Sequence, residues 1–134
     1  MGTRSLTYVY DCDDCEKPVV CMYRQYDGYP SGHGKELADF LRPVILINGI
    51  GLDQRHFPYA NGMGCLAGQM IAHFKTDVGG IYLVATDIVD AGQDYTYHIF
   101  QDKIQVFDYE SKPIFNGIWQ EYFDWIEKQC QSDE

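Results

Sequence analysis

With 134 residues the chain has room for one continuous core but not for a linker and a second domain, so residues 1–134 are expected to form a single domain. Ten basic against 20 acidic residues leave a formal charge of −10, a field that repels the phosphates of duplex nucleic acid and an anionic membrane surface. Neither is expected as a partner, whereas a small anionic ligand held by a few local donors remains compatible with that charge.

Hydrophobic residues at 46% and aromatic residues at 15%, with 11 tyrosines, set the chain apart from disordered sequences. No stretch approaches the ~20 apolar residues of a spanning helix. The start MGTRSLTYVY lacks the basic-then-apolar layout of a secretory leader and has Leu6 where a myristoylation signal needs Ser or Thr. A cytoplasmic location is expected, and in a reducing compartment the five irregularly spaced cysteines are expected to be free thiols.

In chain order, residues 4–10 (RSLTYVY) and 18–24 (PVVCMYR) are rich in β-branched and aromatic residues around the charged turn DCDDCEK, which predicts an antiparallel hairpin. A Gly- and Pro-rich loop follows, turning helical from about His33 with Leu37, Phe40 and Leu41 on one face until Pro43 stops it. Residues 44–60 fit either a short buried strand or a packed loop. Asn61 then caps the strongest helix, in which Met63, Leu66, Ala67, Met70, Ile71 and Phe74 follow helical spacing.

Gly79-Gly80 ends that pattern before the strand IYLVAT, and DYTYHIF and KIQVFDY form a second hairpin through Gln101-Asp102. Asn116 is expected to cap a last helix reaching about Gln129, carrying Trp119, Tyr122, Phe123 and Trp125. Hairpins at both ends with helices between them predict an α+β fold: an antiparallel or mixed sheet of about five strands, with about three helices packed mainly on one face.

The segment from Tyr23 to Lys35 (YRQYDGYPSGHGK) is the candidate site. Gly32 and Gly34 allow close backbone approach, and a helix starting there would aim unpaired N–H groups at an anion. Arg24, His33 and Lys35 supply charge-assisted donors, and Tyr26 and Tyr29 offer flat faces for a base. A second Gly-rich helix start at Asn61 and Gly62 would contact another part of the same ligand. Glu36 stands where a P-loop needs a hydroxyl, which excludes an ordinary P-loop NTPase. The competing reading is that these glycines only build turns and caps.

Cys12 and Cys15 have half of a zinc-site spacing without a second half, and His33, His56, His73 and His98 are scattered, so neither metal nor cofactor is expected. No G-x-S-x-G elbow or cysteine nucleophile motif is present. No residue is assigned a catalytic role, and a non-enzymatic protein is the favoured expectation.

The runs MGTRSLT, MYRQYDGYPSGHGKELADFL, INGIGL and NGMGCLAGQMIAHFK resemble a family of small proteins encoded by bacteriophages and bacteria. The likeness covers most of the chain and carries over no catalytic residues. It implies the company of phage proteins that sequester nucleotide second messengers of bacterial immunity. The leading expectation is therefore capture of an anionic, nucleotide-derived signal by the 23–35 segment. Two alternatives stand beside it. One is a hydrolase or phosphodiesterase using His33 as acid or base with a carboxylate from Asp27, Asp87 or Asp90. The other is an interaction module masking a host protein through Trp119, Tyr122 and Trp125. The wide apolar face of the last helix also predicts a homo-oligomer.

Overall fold

A computed structural model describes residues 2–12 and 16–132. The chain runs β1 (Ser5–Val9), β2 (Val20–Arg24), a π-helical turn (Pro30–Gly34), α1 (Lys35–Leu41), β3 (Ile45–Ile47), β4 (Tyr59–Asn61) and α2 (Gly62–Phe74). It continues with β5 (Ile81–Val84), β6 (Tyr95–Ile99), β7 (Lys103–Phe107), β8 (Pro113–Ile118) and α3 (Trp119–Ser132). Six strands form one mixed sheet in the order β5-β2-β1-β6-β7-β8, and β3 and β4 form a small parallel pair. The fold is α+β, as expected from the sequence.

Both expected hairpins form, with Ser5 opposite Arg24 in the first and Ile99 opposite Ile104 in the second. They meet at the centre of the sheet, where β1 and β6 run parallel. Parallel neighbours need a long crossover, and the segment from the Gly-rich turn through α1 and α2 to β5 lies within it.

Alternation along β1 separates two cores. Val9 joins Met22, Tyr97, Ile99, Ile104 and Val106 under the helices, with Leu37, Leu41, Leu66, Met70, Tyr122 and Ile126. On the opposite face Leu6, Tyr8, Tyr10, Cys21 and Phe100 pack with Ile88 and Ala91 of the 85–92 loop, so that loop replaces a helix layer there. The Tyr10 and Phe100 rings stack 4.3 Å apart, and His98 stacks on Tyr8 at 4.9 Å.

Several local expectations are corrected. Asn116 sits in β8 opposite Gln105 and does not cap a helix. The helix starts later because the Ile118 N–H donates to Glu121 Oε1 at 3.0 Å, half of a capping box. The added strand gives the main sheet six strands instead of about five. Residues 44–60 hold β3, a loop and the start of β4, with Ile45 exposed. Asn61 precedes α2 without a side-chain cap bond; its Oδ1 accepts from the Gly49 N–H at 2.8 Å instead.

The aromatic face of α3 turns inward. Tyr122, Phe123 and Ile126 are buried, Trp119 and Trp125 pack against the same core, and Trp119 Nε1 donates to the Phe100 carbonyl at 2.9 Å. Tyr122, Phe123 and Ile126 of the face expected to meet a second copy or a host protein are thus spent on the chain's own core, while Trp119 and Trp125 stay partly exposed. Cys21, Cys65 and Cys130 are free thiols, but Cys12 is disulfide-bonded, against the expectation of five free thiols. Cys15 and the middle of the DCDDCEK turn lie outside the described residues. Among the described residues, no helix is long and apolar enough to cross a membrane.

Two glycines test this packing in opposite directions. A Cβ on Gly28 would sit 2.7 Å from the Arg4 carbonyl carbon and 2.8 Å from its oxygen, whereas one on Gly68 in α2 would meet nothing within 4 Å. Urea unfolding should show Gly28→Ala destabilised by about 1–3 kcal/mol. Gly68→Ala should be stabilised by about 1 kcal/mol through helix propensity.

Candidate functional site

The Gly-rich segment folds inward. Asp27 takes a left-handed φ of 61°, and the following chain winds into the π-helical turn that leads directly into α1. Its amides are engaged internally: Gly32 N–H donates to Tyr29 O at 2.9 Å, His33 N–H to Asp27 O at 2.6 Å, and Lys35 N–H to Gly32 O. The expected anion cradle of open N–H groups is therefore corrected. The outward carbonyls are clamped as well, since Tyr97 OH donates to Gly28 O at 2.8 Å and Tyr122 OH to Gly34 O at 2.9 Å. Gly34 is buried where a Cβ would meet Ile126 at 2.8 Å, so that glycine answers to packing.

His33 is fully buried. Arg24 Nη1 donates to its Nδ1 at 3.2 Å, which places the ring proton on Nε2, 2.7 Å from Thr7 Oγ1. Burial, aided by the Arg24 charge, pushes its pKa down to about 3. A sealed, neutral imidazole serves neither as a phosphate-binding cation nor as the acid or base of a hydrolase.

The two expected cations part company. Lys35 turns to Asp39 one helical turn along α1, at 2.7 and 2.8 Å, with its side chain 43% exposed. Arg24 has its side chain only 15% exposed. Its Nε donates to the Tyr26 carbonyl at 2.7 Å and its Nη1 is paired with the Glu36 carboxylate. Nη2 makes no hydrogen bond to any described residue.

Arg24 lines a cavity of about 370 Å³ together with Tyr26, Glu36, His73, Asp77 and Gly80. Sheet register builds it: Arg24 lies opposite Ile81 across the β2/β5 pair, and Gln25 N–H donates to Gly80 O at 2.8 Å. Gly79 and Gly80 both take positive φ, the conformation that lets the 75–81 turn fold back over β2. Asp27 also lines this cavity, so three carboxylates, Asp27, Glu36 and Asp77, surround one guanidinium and one imidazole.

Of the residues expected to form one site, the cavity gathers only Arg24 and Tyr26. Asn61 and Gly62 line a separate cavity of about 320 Å³ with Leu46 and Asn48. Tyr29 lines another, beside Pro30 and Tyr95. Asp87 and Asp90 lie in the exposed loop over the far face of the sheet, away from His33. His73 and the 76–80 turn were missed as site residues because Gly79-Gly80 reads as a helix stop, and nothing local shows that β5 will pair with β2.

The buried histidine makes stability depend on pH. Folded His33 stays neutral down to about pH 3, while the unfolded chain protonates near 6.5, so the unfolded state alone takes up the proton between those values. Stability is full above 6.5 and falls as the pH drops, approaching about 1.4 kcal/mol per pH unit. His98, lowered to about 4 by burial, adds a loss of the same sign. Urea midpoints measured from pH 7.5 to 5 should therefore fall, and His33→Gln should start lower but decline less steeply. Comparison of the chain with models of protein families, with curated proteins and with solved structures finds no match.

Proposed function

We propose that the protein binds a small anionic ligand in the cavity beside Arg24 and holds it without chemical change, the ligand being a nucleotide-derived signal in the cytoplasm of a bacterial host. The observation that carries this reading is Arg24 itself. Its guanidinium is held in place on two sides, lines the cavity and keeps Nη2 without a hydrogen bond among the described residues. A guanidinium so oriented is suited to an oxyanion. Tyr26, 58% exposed at the rim, offers a flat face to the same ligand.

The Glu36 carboxylate already occupies part of that guanidinium. An incoming phosphate would displace that carboxylate, so Glu36 acts as a competitor, its side chain 52% exposed. Asp27 and Asp77 bias the cavity against polyphosphates and favour a ligand of low charge. Sequestration is preferred over hydrolysis because the histidine nominated as acid or base is sealed in the core.

Calorimetric titration with ribose 5-phosphate tests the assignment. Loss of a charge-assisted bond should weaken binding by about tenfold or more in Arg24→Gln, and removal of the competitor should strengthen it several-fold in Glu36→Gln. The probe should be recovered intact after denaturation. Equal affinity in Arg24→Gln and the parent would refute the site, and recovered products would convert the protein into an enzyme.

A further inference from the structure

His73 lies on the wall of two cavities. Beyond it, a second one of about 400 Å³ is lined by Asp39, Phe40, Phe57, Gln69, Ala72 and His73. A single exposed side chain thus separates the Arg24 cavity from a more apolar one, and a ligand of two chemically unlike parts can occupy both.

We infer that this second cavity receives the planar ring of an amino-bearing nucleobase whose phosphate lies at Arg24. The inference rests on the reading of Arg24 as an anion site and names the ligand class: a nucleoside monophosphate, or a larger signal built on one.

The walls supply flat faces. Phe57 stacks on Phe40 with centroids 5.5 Å apart and planes 19° from parallel, and the His73 ring lies 5.0 Å from Phe40. Phe57 is nevertheless 46% exposed, so a large aromatic surface at the cavity remains open to stacking. The volume falls within the range of pockets that hold small molecules.

The polar groups select among planar occupants. Gln69 Nε2 donates to the Tyr59 carbonyl at 2.9 Å, which fixes the amide so that Oε1 is the remaining group. That oxygen is without a hydrogen-bond partner and sealed from solvent, so a ligand in the cavity reaches it only when the Gln69 side chain shifts. Asp39 is likewise acceptor-only, and Lys35 already faces it. Asp39, exposed on the wall although Lys35 meets both its oxygens, and the unpartnered Gln69 Oε1 behind it favour a ligand that brings N–H donors, such as an exocyclic amine. They disfavour a phosphate at this end, and an aliphatic chain would leave Gln69 Oε1 unsatisfied. The anion and the ring are thereby assigned to opposite sides of His73.

Calorimetric titration with AMP, IMP and ribose 5-phosphate reads each part separately. AMP should bind about tenfold or more tightly than ribose 5-phosphate through stacking. IMP, with a carbonyl in place of the amine, should lose much of that gain. Phe57→Ala should abolish the advantage of AMP while leaving ribose 5-phosphate unchanged, and Phe57→Leu serves if the alanine variant loses its far-ultraviolet circular dichroism. Should ribose 5-phosphate bind through Arg24 with AMP no tighter, or should the AMP advantage survive at Phe57, the ring subsite is wrong and the anion site stands. Equal binding of IMP and AMP overturns the amine assignment. Silence from all three probes overturns both readings.

Discussion

The structure depends on closing a polar, glycine-rich turn inside an apolar core. A buried carbonyl without a partner costs about 1–3 kcal/mol, and the segment from Gly28 to Gly34 brings several into the space between α3 and the sheet. Two tyrosines from distant parts of the chain answer that need, Tyr97 from β6 and Tyr122 from α3. His33 and Thr7 complete the arrangement by satisfying one another below the turn. These bonds tie the first hairpin, the parallel junction of the sheet and the last helix into one cooperative unit.

This closure moves the chemistry sideways. Because the turn's amides serve the turn itself, the guanidinium of Arg24 is the donor that lines the neighbouring cavity, and the rest of that wall comes from the 75–81 turn. Arg24 has two roles in consequence. Nη1 both holds the neutral tautomer of His33 inside and meets Glu36, Nε is held by the Tyr26 carbonyl, and Nη2, without a hydrogen bond among the described residues, is the nitrogen that the proposed ligand would take. The carboxylates nearby, Asp27, Glu36 and Asp77, give the cavity an excess of negative charge, in keeping with a chain whose net charge is −10.

The two faces of the sheet are finished differently for a related reason. The helix face carries the crossover demanded by the parallel β1/β6 pair, which delivers α1 and α2 there, and α3 joins them after β8. Among the described residues, the far face receives the 85–92 loop instead of a helix and covers itself with aromatic side chains, among them Tyr8, Tyr10 and Phe100. The Tyr8 hydroxyl donates to the Ile88 carbonyl and fastens that loop. Burial raises the Tyr10 hydroxyl to about 12 and the Cys21 thiol to about 11, which keeps both groups neutral and the layer apolar.

Local pattern alone determined the class of fold, both hairpins, the body of α2 and the inward stripe of α3, since each is written in short-range periodicity that packing then rewards. The nomination of Arg24 and Tyr26 also came from sequence, through residue type and proximity in the chain. Only tertiary structure decided that β8 precedes α3, because PIFNGI has weak strand propensity and becomes a strand by pairing with β7. It alone decided that His33 is sealed while His73 stands at the cavity, a matter of which side of a turn meets the core. The pairing of Arg24 with Ile81 was equally hidden, because register between strands far apart in sequence follows from the packing of the whole sheet and leaves no mark in either strand by itself.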